Sequence, residues 1–274
     1  MGARIGVAGR GRARLLGDLR LSLIRGSVAR AAVRGRLTWQ IATVRDVVDE
    51  TARVRTLMLD IPDWPGHVAG QHLDVRLTAE DGYRAERSYS IASAPGEPVA
   101  ITVERLADGE VSPYLTEELR RGEALELRGP LGGYFVWHAE DGGPLLLVAG
   151  GSGIAPLRAI LRHRELSGSD VAVRLLYSSR SLDDVIYRSE LEERTAGVEV
   201  VQTLTREQPD GWAGYARRVD AALLGEVAWP AEPEPLAFVC GPTSFVETVA
   251  SGLVALGYSP GRVKTERFGA TGGR

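Results

Sequence analysis

Apolar and polar positions alternate through much of the first half of the chain. Trp39 to Val48 and Val54 to Ile61 read as two strands separated by polar residues and closed by Pro62-Asp63-Trp64-Pro65-Gly66. Shorter stretches follow at Leu73 to Thr78, Glu86 to Ala92, Ala100 to Leu106 and Ala124 to Arg128. Turn signals stand between them at Asp81-Gly82, Pro95-Gly96 and Asp108-Gly109. Short strands at this regular spacing predict a small antiparallel, six-stranded β-barrel over residues 37–140. Its one helical interruption is Pro113 to Arg120, with Ser112 as N-cap, Pro113 as first residue and Glu117 and Glu118 as early acids.

The pattern then changes. Leu145 to Ala149 is an apolar run of the length of one buried strand, and it empties into Gly150, Gly151, Ser152 and Gly153 before a helix begins near Ala155. Strand and helix alternate from there. Helices are expected at Ala155 to Leu166, Asp183 to Glu193, Val219 to Glu226 and Ser244 to Leu256. Strands are expected at Val171 to Ser178, Val198 to Thr205 and Leu236 to Cys240, with a last short segment at Val263 to Phe268. The series predicts a doubly wound, mainly parallel α/β domain over residues 145–274, joined to the barrel by the turn-rich Glu140 to Pro144. The Pro-rich run Pro230 to Pro235 reads as a loop within that domain.

Composition adds exclusions. In 274 residues, 44% apolar and 25% charged, Cys240 is the only cysteine, so these residues alone build no disulfide framework and no four-thiolate iron–sulfur cluster. His67, His72, His138 and His163 show no paired ligand spacing, and no metal is expected. The formal charge of −3 hides an asymmetry: residues 1–36 hold nine arginines and one acid, Asp18. Leu16, Leu19, Leu23, Ile24 and Val28 fall roughly on one helical face there. That pattern suits peripheral contact with an anionic membrane or a partner groove, and a disordered basic extension has the same composition. Nothing in the body of the chain supports nucleic-acid binding. No apolar run reaches the length of a membrane span or signal peptide, so a cytoplasmic location is expected.

Five stretches carry candidate chemistry. In the glycine turn, Gly150, Gly151 and Gly153 can adopt positive φ and leave peptide N–H groups open to an anion, with the helix behind Pro156 aimed at the same place. Such a turn is also how ordinary α/β proteins change direction. In Arg87-Ser88-Tyr89-Ser90, alternation puts Arg87 and Tyr89 on one face. An arginine can hold a phosphate, an aromatic ring can lie on a planar ligand, and a hydroxyl can reach a ring nitrogen. Gly109 and Ser112 stand at the mouth of the short helix as donors to a pyrophosphate, or as a plain capped turn. Beyond the second strand of the α/β domain, Arg180 lies where a nucleotide ribose belongs. A cation there points to NADPH over NADH, with Asp183 and Asp184 as opposing acids nearby. Cys240 ends a buried strand at the sheet's carboxyl edge, where such sheets bind ligands.

Taken together, these residues resemble the ferredoxin–NADP⁺ reductase superfamily. Arg87-Ser-Tyr-Ser90 is similar to its flavin signature and Gly109-Glu-Val111-Ser112 to its pyrophosphate motif. Gly151-Ser152-Gly153-Ile154-Ala155-Pro156 resembles its pyridine-nucleotide loop, and Cys240-Gly241-Pro242 its late nicotinamide-side motif. The resemblance runs from about residue 37 to the C-terminus. It implies a flavin between barrel and nucleotide domain, with Arg87 on its phosphate, Tyr89 stacked on the ring, Ser90 near N5, and Gly109, Val111 and Ser112 at the pyrophosphate. FAD is preferred to FMN. Cys240 would lie beside the nicotinamide as a positioning group, Glu266 would assist proton traffic and Phe268 would cover the flavin. The implied activity moves hydride from NAD(P)H to flavin and electrons on to a separate redox protein such as a ferredoxin, oxygenase or molybdoenzyme, as in stand-alone bacterial reductases without a 2Fe–2S domain. A reductase of free flavin or quinone, and a non-catalytic nucleotide-binding scaffold, are the alternative readings.

Overall fold

The computed structural model describes residues 37–193, 197–232 and 234–269. Expectations for residues 1–36 lie outside the described residues. Strands β1 (Gln40–Thr51), β2 (Val54–Asp60), β3 (His72–Thr78), β4 (Arg84–Ser90), β5 (Val99–Glu104) and β6 (Ala124–Leu131) form one sheet in the order β4-β3-β6-β1-β2-β5. All its pairings are antiparallel, and a bridge between Ile91 and Ile101 brings its two edges together as a barrel. Alternation explains the interior: Ala42, Val44, Leu57, Leu59, Leu73, Val75, Leu125 and Leu127 fill it.

The second sheet has the order β11-β10-β7-β8-β9 and is parallel throughout. Its strands are β7 (Leu145–Gly150), β8 (Val173–Ser179), β9 (Val198–Leu204), β10 (Leu236–Pro242) and β11 (Val263–Phe268). β7 is wholly buried because both of its faces are covered. Leu145, Leu147 and Ala149 pack with the side holding α1 (Ile154–Leu166), whereas Leu146 and Val148 pack with α3 (Ala221–Val227) and α4 (Thr243–Ala255). Asp220 caps α3 by accepting the Leu223 N–H at 2.8 Å.

Two expected helices take other forms. In place of a helix over Pro113 to Arg120 there is a single π-turn, Tyr114–Glu118, and Ser112 does not cap it. The Ser112 hydroxyl instead accepts the Leu106 N–H at 3.1 Å, while its carbonyl accepts the Thr116 hydroxyl at 2.8 Å. The helix expected over Asp183 to Glu193 shrinks to a 3₁₀ turn, Leu182–Asp184, and the short α2 (Arg188–Glu192). Tyr187 between them is left-handed at φ 58°. Helical geometry there would not bury Val185, Ile186 and Tyr187 together, and the Tyr187 hydroxyl bonds Thr102 of the barrel. That buried peg, with Arg158 of α1 donating to the Ala92 carbonyl at 3.0 Å, fixes the α/β layer against the barrel.

Candidate active site at the barrel–sheet junction

The antiparallel register of β3 and β4 sets Tyr89 opposite Leu73 and Ser90 opposite His72. Tyr89 packs half-buried on the barrel core, and burial holds its phenol protonated by raising its pKa. Arg87 is half exposed and pairs with Glu110 at 3.0 Å, which brings it over the Gly109 to Ser112 segment. Glu110 also accepts the Tyr83 hydroxyl at 2.6 Å. A Cβ on Gly109 would stand 2.7 Å from Ser112 Oγ, so glycine is what lets this segment fold tightly. Val111 is buried in the barrel core and the Ser112 hydroxyl faces inward. The Ser112 oxygen is engaged as an acceptor there, and its O–H remains a donor beside the backbone of Gly109.

On the other side, the parallel register pairs Cys240 with Glu266 and Pro242 with Phe268. Ser90 Oγ donates to Glu266 Oε2 at 3.0 Å, and Cys240 Sγ lies 3.7 Å from the same oxygen. Three residues expected to act together, Ser90, Cys240 and Glu266, therefore converge although they come from both domains. Burial raises the Glu266 pKa, with the Ser90 and Cys240 hydrogen bonds opposing it. Burial, then the Glu266 charge, pushes the Cys240 thiol well above its ordinary value, which keeps it a neutral thiol rather than a nucleophilic thiolate. His72 completes the cluster, its Nδ1 3.9 Å from Glu266 Oε1, with its pKa lowered by burial and supported by Asp74. The sequence reading missed His72. Its one signal was its place opposite Ser90, which only the register reveals.

The glycine turn differs in detail from expectation. Only Gly151 has positive φ, 54°, while Gly150 and Gly153 are at −118° and −63°. Gly153 is needed for another reason: a Cβ there would meet the Cys240 carbonyl oxygen at 2.2 Å, so the turn rests directly on β10. Gly150 and Gly241 both lie under the Phe245 ring, which a Cβ would meet at 3.0 and 2.7 Å. Ile154, Ala155 and Pro156 are buried, so their side chains pack α1 instead of facing a ligand. Beside the turn opens a cleft lined by Gly150, Gly151, Ser178, Arg180, Pro242 and Phe268. Arg180 is exposed there, its carbonyl accepting the Arg206 N–H at 2.9 Å. The same cleft is lined by Asp184, one of the acids expected near Arg180, and by Arg53, Glu104 and Phe245, which sequence patterns gave no reason to single out. Ser152 is held by Glu104 at 2.8 Å.

A barrel with an arginine and a tight glycine segment, followed by a parallel sheet with a glycine turn and a cleft, is the architecture of two-domain flavin- and nucleotide-binding proteins. An oxidoreductase FAD-binding domain matches residues 41–136 and an oxidoreductase NAD-binding domain matches residues 147–251. The chain belongs to the ferredoxin–NADP⁺ reductase superfamily. It is 33% identical over 236 residues to the glycine betaine monooxygenase reductase subunit of Chromohalobacter salexigens, covering 82% of this chain but 63% of that protein. It is 30% identical over 277 residues to the flavohemoprotein of Bordetella pertussis, covering 94% of this chain and 68% of that protein. Among solved structures, the flavohem-like FAD/NAD-binding domain of nitric oxide dioxygenase from Vibrio cholerae superposes with a TM-score of 0.74 at 27% identity. That match covers 84% of this chain and 98% of the other. Among the described residues, no helix is long and apolar enough to cross a membrane.

Proposed function

We propose that this chain is an FAD-dependent oxidoreductase that accepts reducing equivalents from NADPH in preference to NADH and passes electrons to a separate redox protein in the cytoplasm. The observation that carries the reading is the junction where Ser90 of the barrel meets Cys240 and Glu266 of the sheet, beside a cleft headed by Gly151. The residues present fit the flavin. Arg87 and the Gly109 backbone would hold its phosphates, Tyr89 would face the ring, and Phe268 would flank it. When bound, FAD supplies the exchange between two-electron and one-electron transfer. The protein's part is placement. Gly151 and its neighbours hold the nucleotide, Cys240 and Gly241 set the floor under the nicotinamide, and Ser90 with Glu266 holds or moves a proton at the Glu266 carboxyl. Cys240 alone builds no four-thiolate cluster within these residues, and the monooxygenase reductase subunit named above supports an oxygenase-type partner.

Anaerobic turnover with NADPH, offered a 2Fe–2S ferredoxin, cytochrome c, free FMN and a quinone in parallel, tests the assignment. Electrons should flow to the protein acceptors, and transfer to free FMN or quinone alone would replace this reading with that of a small-molecule reductase.

Two substitutions check particular roles. Arg87→Ala removes a charge-assisted contact of about 1.5 kcal/mol, so FAD should be retained roughly tenfold less well on dilution. Flavin fluorescence against protein concentration measures this, and unchanged retention removes Arg87 from the site. Arg180→Ala should raise KM for NADPH about tenfold while leaving KM for NADH nearly unchanged, because only NADPH carries the 2′-phosphate. Equal effects on both nucleotides would retire that role.

A further inference from the structure

The cleft beside the glycine turn holds two arginines, Arg53 and Arg180, and two carboxylates, Glu104 and Asp184. Carboxylates are an unfavourable lining for a site that takes an anionic dinucleotide. Glu104 reaches across from the last position of β5 to the turn itself. Its Oε2 accepts the Ser152 hydroxyl at 2.8 Å and stands 3.7 Å from where a Cβ on Gly151 would be. Its Oε1 faces Arg53 Nη2 at 3.5 Å, and the same nitrogen lies 4.0 Å from Asp184 Oδ1. One carboxylate thus occupies both a hydroxyl donor and a cation next to the one residue of the turn with positive φ.

We propose that Glu104 sets the affinity for the pyridine nucleotide: its carboxylate takes the place on Ser152 and Arg53 that the nucleotide's pyrophosphate claims, so that binding exchanges one anion for another. The inference rests on the proposed reading that this turn receives the nucleotide. An internal anion that competes for the same donors weakens binding of substrate and product alike, and the spent nucleotide must leave before the next one enters. Arg53 in this arrangement is held ready by its two carboxylates and released to the phosphates as Glu104 withdraws. Because Arg53 and Glu104 are both partly exposed, the competition is screened by salt.

The test is calorimetric titration of the full chain, with FAD added, by ADP-ribose and by 2′-phospho-ADP-ribose, ligands that carry the pyrophosphate without the nicotinamide. Glu104→Gln keeps an acceptor for Ser152 and removes the charge. It should bind ADP-ribose at least about threefold more tightly than the wild type at low ionic strength, with the gap narrowing at about 0.5 M salt. Glu104→Ala should move in the same direction, which guards against a local effect of the amide. Equal or weaker binding in both variants would overturn the inference and make Glu104 a residue that orders the turn for its ligand. Failure of the wild type itself to bind either compound would instead defeat the nucleotide reading on which the inference stands.

Discussion

Glu266→Gln is expected to lower NADPH-driven turnover by about a hundredfold, the usual scale for losing a positioned proton-transfer group. The carboxyl sits between the Ser90 hydroxyl of the barrel and the Cys240 thiol of the parallel sheet, and so touches both domains. Glutamine can accept the Ser90 hydrogen bond but cannot hold or release a proton. The same substitution should raise thermal stability, with a pH signature. Burial lifts the Glu266 pKa above the ordinary 4.5, so between 4.5 and its raised value the folded protein keeps a proton that the unfolded chain has lost. Wild-type stability therefore falls as pH rises through that window and is level above it. The variant lacks this loss. Its melting temperature should match the wild type below about pH 4.5 as far as this group is concerned, and exceed it increasingly up to the raised pKa. A turnover within twofold of wild type, or a stability gain independent of pH, would remove Glu266 from the proton role.

Gly153→Ala carries the largest expected effect on folding. The added Cβ meets the Cys240 carbonyl oxygen at 2.2 Å, its carbon at 2.5 Å and the Gly241 nitrogen at 2.8 Å, all backbone atoms of a central strand. A flexible side chain could turn aside, whereas these atoms are held by β10's ladders to β7 and β11. Overpacking of this kind costs about 3 kcal/mol, at the upper end of the usual range, because turn and strand must separate. Thermal melting should show a fall of roughly 6–12 °C for a chain of this size. The separation also moves the turn away from Cys240, so nucleotide binding should weaken along with stability. A melting temperature within 2 °C of wild type, give or take about one degree, would show that the close contact is not structural.

The class of each domain was legible because period-two alternation and a wholly apolar strand are direct consequences of one-sided and two-sided burial. Helix lengths after β8 were not. The acids Asp183 and Asp184 read as the start of a helix, yet the demand to bury Tyr187 against Thr102 breaks it with a left-handed residue. Tertiary packing overrode local propensity there. Of the candidate site, short motifs pointed to Arg87, Ser90, Gly151 and Cys240, and the resemblance added Glu266. The meaning of the glycines changed: Gly153 serves close approach to β10 more than an open phosphate turn. Glu104 and Arg53 escaped notice because nothing local marks them. Glu104 lies 48 residues from Ser152 and 51 from Arg53, and only the fold sets them in one cleft. His72 escaped for the same reason, being placed by strand register.

Anaerobic addition of NADPH to the purified full chain, incubated with FAD and freed of excess by gel filtration, tests the central claim most directly. The predicted result is a yellow protein whose visible flavin band bleaches on mixing with the nucleotide and returns when an electron acceptor is supplied. A colourless protein, or a bound flavin that neither NADPH nor NADH reduces, would contradict the account.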